Sequence, residues 1–265
     1  MRWSTRFLSL FIAAVPVCVA AGGTVWVTPH EQYSSSVGVL GCKVDVSRIA
    51  YWPASIDCNN ICVSLSYEGR TVNLLRIDQS QGAHDVSYDA WNLLVTGESA
   101  TKSPTTGGAI AMEYQDAAVS DCADLIYTEG NKLPLSASNS MNFLASCLAE
   151  DTWVGKNHIL YNILDPICTW GYDEACTLDW PTANQATCPH QLGLPDALTS
   201  APVYNIQYGT GKKVLAGTSQ VVDSGGSTLN LGSTSRQNIA GRAAMSNAVT
   251  AMAASFLAYW LVCAI

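Results

Sequence analysis

The residues best equipped for chemistry in this chain are its cysteines. Ten are present. Cys18 and Cys263 lie in apolar terminal segments, which leaves Cys42, Cys58, Cys62, Cys122, Cys147, Cys168, Cys176 and Cys188. An even set in a secreted chain is a framework of four disulfides, and the spacing leaves the pairing open. Zinc is the competing chemistry for Cys58-x3-Cys62. No second Cys/His pair stands at a matching distance, so no metal is expected. His30, His84, His158 and His190 are too scattered to hold one. Gly209-Thr-Gly-Lys212 is not a phosphate loop, no Ser/His/Asp set stands out, and no cofactor is expected. Aromatic side chains are the other resource. Tyr51, Trp52, Tyr88 and Trp91, and farther on Trp153, Trp170, Tyr172 and Trp180, offer flat faces on which sugar rings stack. A tryptophan in a small disulfide-rich domain is nonetheless more often core, because it buries so much apolar area.

These residues belong to a chain of 265, of which 48% are hydrophobic and only 13% charged. The charged share is about half the usual one. The two ends account for part of the deficit. Residues 1–20 begin with Arg2 and Arg6 and continue without charge from Phe7 to Ala20. That is the form of a secretory signal peptide, with cleavage expected after Ala20 or Ala21. Residues 248–265 carry no charge, and small residues from Ser233 onward precede them across a short spacer. This is the form of a glycosylphosphatidylinositol (GPI) anchor signal. Asn238 is the first choice for attachment, with Ser233, Ser235 and Gly241 as competitors. A single C-terminal transmembrane helix is the alternative. Either way the protein is expected outside the cell, tethered to membrane or wall. The chain has 21 acidic against 13 basic side chains. Setting the ends aside removes Arg2, Arg6 and Arg242 and no acid, so the remainder is more acidic still. Nucleic acid and anionic lipid demand positive surface and are excluded as partners. No Asn-x-Ser/Thr sequon occurs, so N-glycans are not expected.

The elements that must position any site follow from periodicity. Val37–Val44, Ile61–Tyr67 and Thr71–Ile77 read as strands, and the second alternates apolar and polar residues strictly. Glu68-Gly69 between the last two reads as a hairpin turn. Ser87 to Val95 reads as a short helix with Ser87 as N-cap and Gly97 ending it. Gly107-Gly108 leads into a strand over Ala109–Tyr114. Helices are expected over Ser138–Glu150 and His158–Leu164. From Gly209 to Arg242 the composition is mostly Gly, Ser, Thr, Asn and Gln without aromatics, which reads as a flexible stalk. Cysteines confine the ordered part to about residues 40–190, after a polar flank.

Three stretches make residues 37–122 resemble the double-psi β-barrel of expansins, barwin-like proteins and bacterial rare-lipoprotein-A domains. One is Thr71-Val-Asn-Leu-Leu-Arg-Ile-Asp78, similar to a family strand that ends in aspartate. Another is His84-Asp85-Val86-Ser87 followed by Tyr88-Asp89-Ala90-Trp91, similar to the expansin His-Phe-Asp-Leu-Ser turn that opens a helix. The last is Gly107 to Tyr114 running on to Cys122, similar to the family's final strand. Secretion, anchor signal and barrel together also look like a filamentous-fungal cell-surface protein.

The resemblance implies a role for Asp85, because catalytic relatives use that position as general acid toward a glycosidic oxygen. Such a carboxyl needs burial or a neighbouring carboxylate to raise its pKa. Asp78 is the implied neighbour, with His84 and Asp89 completing a polar rim. The alternative is that Asp85 merely orders its turn. Inverting hydrolysis also needs a base, which small endoglucanases of this barrel keep in a Tyr-Trp-Asp motif. Here Tyr51-Trp52 is followed by Pro53, and nothing shows that Asp57 replaces it.

The expected architecture is therefore mainly β. Signal peptide spans 1–20, a six-stranded double-psi barrel domain with its N-terminal flank 21–125, and a disulfide-stapled, partly helical appendage 126–208. A stalk follows over 209–247 and the apolar tail over 248–265. The expected function is binding or loosening of cell-wall polysaccharide (β-glucan, chitin or cellulose) without hydrolysis, through Tyr51, Trp52, His84 and Trp91. The alternatives are a hydrolase or lytic transglycosylase using Asp85 with Asp78, and a structural or host-interacting surface protein.

Overall fold

Alternating side chains in six strands close a barrel. The computed structural model describes residues 22–222, so the expected signal peptide, the apolar tail and Asn238 lie outside the described residues. The strands are β1 (Gly22–His30), β2 (Ile49–Trp52), β3 (Cys62–Tyr67), β4 (Arg70–Gln79), β5 (His84–Ser87) and β6 (Ile110–Asp116). They close in the order β1-β5-β2-β4-β3-β6. The pairs β1–β5 and β2–β4 are parallel and the rest antiparallel. Parallel neighbours require a crossover rather than a hairpin, and two such crossovers make this the double-psi barrel that the sequence resembles.

All six strands contribute to one core cluster, which is the barrel interior: Val27, Trp52, Val63, Leu74, Val86 and Met112. The helix α1 (Tyr88–Thr96) adds Tyr88, Trp91 and Leu94 to it. The intervening residues Ile49, Tyr51, Cys62, Leu75 and Ile77 face outward into a second cluster, together with Leu40, Leu135, Leu144 and Leu160. Strand β2 is thus covered on both faces, and all four of its residues are buried.

Local signals explain several of these elements. Glu68 and Gly69 both take positive φ, 47° and 77°, joining β3 to β4 by a two-residue turn whose twist matches the strands. Gly97, at φ 84°, ends α1 by donating its N–H to Leu93 O. Gly107 lies against the Trp91 ring, where a Cβ would stand 2.6 Å from a ring carbon.

Other expectations fail for tertiary reasons. Val37–Val44 is not a strand but an irregular run with a short 3-10 turn, Gly41–Lys43. Its N–H groups bond across the seam, Leu40 N to Pro134 O and Gly41 N to Pro166 O. The polar flank contains β1, whose partners lie 50 or more residues away and leave no local trace. His158–Leu164 is not a helix. Its residues form β8 in a sheet of β7 (Leu133–Ser136), β8 (His158–Ile163) and β9 (Gly171–Cys176). A short apolar run serves either state, and here pairing on both edges decides. The helix expected before it is present as α2 (Met141–Leu148), followed by the single turn α3 (Trp153–Lys156).

The cysteines pair as Cys42–Cys168, Cys58–Cys147, Cys62–Cys122 and Cys176–Cys188. Two of these bridges, with sequence separations of 126 and 89, tie the barrel side of the chain to the appendage. Each constrains the unfolded chain by about 4 kcal/mol.

The stalk expectation is also corrected over residues 209–222; its remainder, 223–247, lies outside the described residues. Residues 204–222 form a small sheet of β10 (Tyr204–Ile206), β11 (Lys213–Leu215) and β12 (Val221–Val222). Ile206 enters the barrel cluster, and Tyr208 packs edge-on against Tyr88 at 5.0 Å. The composition argument missed this because a few apolar residues that dock on an existing core need no core of their own. Gly211 marks the docking: its φ is +68°, and a Cβ there would lie 2.0 Å from Ala100 O. Gly211→Ala is expected to cost about 2 kcal/mol or more in chemical denaturation. An unchanged midpoint would mean that residues 209–222 do hang free of the barrel.

Candidate functional site

Register brings the polar residues together on the outside of the barrel. Asp85 follows the rim residue His84 and precedes the interior residue Val86, so it points outward. Across the strands it stands opposite Thr28 of β1 on one side and Tyr51 of β2 on the other. Tyr51 in turn stands opposite Asp78 of β4. One transverse row therefore runs Thr28–Asp85–Tyr51–Asp78, joining the two aspartates through a tyrosine.

The two carboxylates have different surroundings. Asp78 is 8% exposed and fully engaged. It accepts hydrogen bonds from Ser34 Oγ at 2.5 Å, Ser36 N at 2.7 Å and Gln79 N at 2.8 Å. Ser35 Oγ adds a bond to Ile77 O at 2.8 Å. Asp78 thereby pins residues 34–36 where the chain leaving β1 crosses the face. Asp85 is half-buried, and Thr28 Oγ1 donates to one of its oxygens. Asp89 is not at a rim but buried at the start of α1. It accepts from Arg48 Nη1 at 2.9 Å, Ser99 Oγ at 2.5 Å and Ala100 N at 2.8 Å. The exposed Asp57 accepts from Asn59 N and Asn60 N of its own turn. Ser87 does not cap α1 with its side chain; its hydroxyl donates to Val46 O and accepts from Ile49 N.

The aromatic residues expected to hold a sugar are mostly core. Tyr51 and Trp52 are each 3% exposed and Trp91 is 1%. None offers a free face, because the barrel interior and the seam consume the apolar area that a strand-borne aromatic supplies. His30 lies over Tyr51 with centroids 4.5 Å apart. Burial raises the Tyr51 phenol well above the ordinary tyrosine range, and Asp78 and Asp85 push the same way. His84 sits at the rim, its ring edge-on to Trp52 at 5.1 Å. Its pKa is lowered by burial, with Asp85 opposing.

The exposed aromatic of this face is one that the sequence did not single out. Trp26 is 68% exposed. It stands on β1 two residues from Thr28, hence on the same outward face. Opposite it on β6 is Ala111, which leaves the indole unscreened. The signal available was the alternation Thr24-Val25-Trp26-Val27-Thr28, which puts tryptophan on the polar side of a strand.

A closed six-stranded barrel with two parallel pairs, each needing a crossover, defines the double-psi β-barrel fold. Residues 14–125, less than half of the chain, match the family model described as Cerato-platanin. A solved structure titled "The solution structure of the fungal elicitor Cerato-Platanin" is similar over 38% of this chain and 98% of its own, with 18% identity and a TM-score of 0.29. Among curated proteins none matches the chain. The four disulfides belong to an oxidising environment outside the cytosol.

Two outcomes are expected. Asp78→Ala frees two backbone N–H groups and a serine hydroxyl, and should cost about 2 kcal/mol or more in denaturation midpoint, whereas Asp85→Asn should change stability little. Because burial lowers the His84 pKa below its unfolded value, the folded state disfavours the proton. The associated stability is present above the unfolded pKa and lost as pH falls toward the lowered one. Thermal melts of His84→Gln should therefore show a flatter decline from neutral into mildly acidic pH than the parent; parallel curves would contradict this.

Proposed function

We propose that the protein is an extracellular surface protein that binds cell-wall polysaccharide on the outer barrel face without cleaving it. The observation that carries this reading is Trp26, an exposed indole beside the row that presents Thr28 and Asp85. A sugar ring stacks on the indole face while the hydroxyls of the same chain bond to Asp85, Thr28, Ser34 and Ser36. Such sites combine apolar stacking with a few placed polar groups. Binding therefore uses Trp26 in place of the buried Tyr51, Trp52 and Trp91.

Support for a non-hydrolytic role comes from Asp78. A second carboxylate must be free to act as base toward water or to tune an acid, and Asp78 holds the crossing segment with both oxygens. Loosening of the wall follows if the bound chain is pulled from its neighbours. Tethering through a GPI anchor at Asn238 would hold the barrel at the plasma membrane or wall.

The test is a pull-down of the secreted protein on insoluble chitin, β-glucan and cellulose, with reducing ends assayed in the same tubes. Binding should fall about tenfold with Trp26→Ala, in keeping with loss of one stacked ring, and no reducing ends should appear. New ends that vanish with Asp85→Asn would replace this reading by an enzyme. Phosphatidylinositol phospholipase C should release the protein from cells, and retention would argue for a spanning helix.

A further inference from the structure

The barrel has a second polar feature, at the rim around Trp52, on the opposite side of the strands from Asp85. Three rings and a guanidinium meet there. The His84 ring lies 5.1 Å from that of Trp52, Tyr114 lies 5.0 Å from it edge-on, and the guanidinium carbon of Arg76 is 6.0 Å from its centroid. In the β2–β4 pairing Arg76 stands opposite Ala50, an interior residue, just before the bulge that brings Asp78 opposite Tyr51.

Two donors at this rim bond to no acceptor among the described residues. Trp52 Nε1 is buried with its residue 97% covered, and Arg76 Nε is buried as well. Buried polar groups are almost always paired, and each exception requires an explanation. Arg76 stands apart from the other described arginines. Arg48 pairs with Asp89, and Arg70 bonds to Glu68, Leu94 O and Val95 O. The unpaired lysines, Lys132, Lys212 and Lys213, are exposed and solvated. In a chain with 21 acidic side chains, no described carboxylate comes within ion-pair distance of this half-buried guanidinium. Burial holds the neighbouring His84 toward its neutral form, so Arg76 supplies the charge.

We propose that this rim binds a carboxylate carried on a sugar ring, the uronate unit of an acidic polysaccharide. The guanidinium takes the carboxylate as a fork, a geometry that arginine provides and lysine does not. The partly exposed rings of His84 and Tyr114 border the ligand, and the covered Trp52 lies beneath the guanidinium as its floor. The saccharide part of this assignment rests on the glycan-binding reading above; the carboxylate part rests on Arg76 alone.

The experiment titrates the full secreted protein with oligogalacturonate, and in parallel with neutral chito-oligosaccharide and with acetate. The readouts are affinity and the NMR signals of Trp52 Nε1–H and Arg76 Nε–H. Oligogalacturonate should shift both signals and bind more weakly as salt rises. Arg76→Gln should weaken it about tenfold, Arg76→Lys should restore only part, and Lys132→Gln, at an exposed lysine, should leave it unchanged. Unmoved signals in the parent protein, or affinity indifferent to Arg76→Gln, would overturn the proposal whatever the neutral glycan does. Acetate shifting the signals as strongly as the oligomer would overturn the assignment to a uronate. Loss of neutral-glycan binding with the acidic response intact would sink the outer-face reading and leave the rim site standing.

Discussion

One carboxylate holds the crossing on which this barrel depends. The chain leaving β1 must cross β5 before it returns as β2, because β5 stands between β1 and β2 in the barrel. Asp78, at the end of β4, accepts hydrogen bonds from Ser34 and Ser36 as that segment goes by. The segment then covers Tyr51, with His30 against its ring and Tyr33 in the same cluster. A charged acceptor gives stronger hydrogen bonds than a neutral one, roughly 1.5–3 kcal/mol each. Both oxygens of Asp78 are thereby committed to the crossing segment and to Gln79 N.

The outer face and the rim differ because alternate residues of the same strands point opposite ways. His84 and Asp85 are neighbours in sequence, yet one joins the aromatic rim and the other the row on the outer face. Trp52 and Tyr51 part in the same manner. A dipeptide that reads as one candidate site is therefore split between two environments, each with its own polarity. The outer face offers acceptors and a free indole. The rim offers donors and a cation.

Much of the barrel was legible in the order of its signals. The alternation of Ile61 to Tyr67, the Glu68-Gly69 turn, the helix begun at Ser87 and ended by Gly97, and the strand after Gly107-Gly108 are all local, and all are present. Site residues were less legible. Asp85 and Asp78 were identifiable as acidic residues near strand ends. The buried Trp52 and Trp91 look the same in sequence as the exposed Trp26, because a tryptophan's type says nothing about which side of a strand is covered. Trp26 lay in a segment that has no local partner and so reads as a flank.

Residue types and short-range spacing by themselves determined the disulfide-bonded, acidic, mainly β character of the chain, since turn chemistry, period-two patterning and an even cysteine set act over a few residues. Tertiary structure alone decided which cysteines pair, that His158–Ile163 is a strand, that residues 204–222 dock instead of hanging free, and which aromatics face solvent. These depend on contacts between separate elements, with disulfides spanning 12 to 126 positions. Loop-closure cost grows only slowly with such distances, and so no local pattern records them.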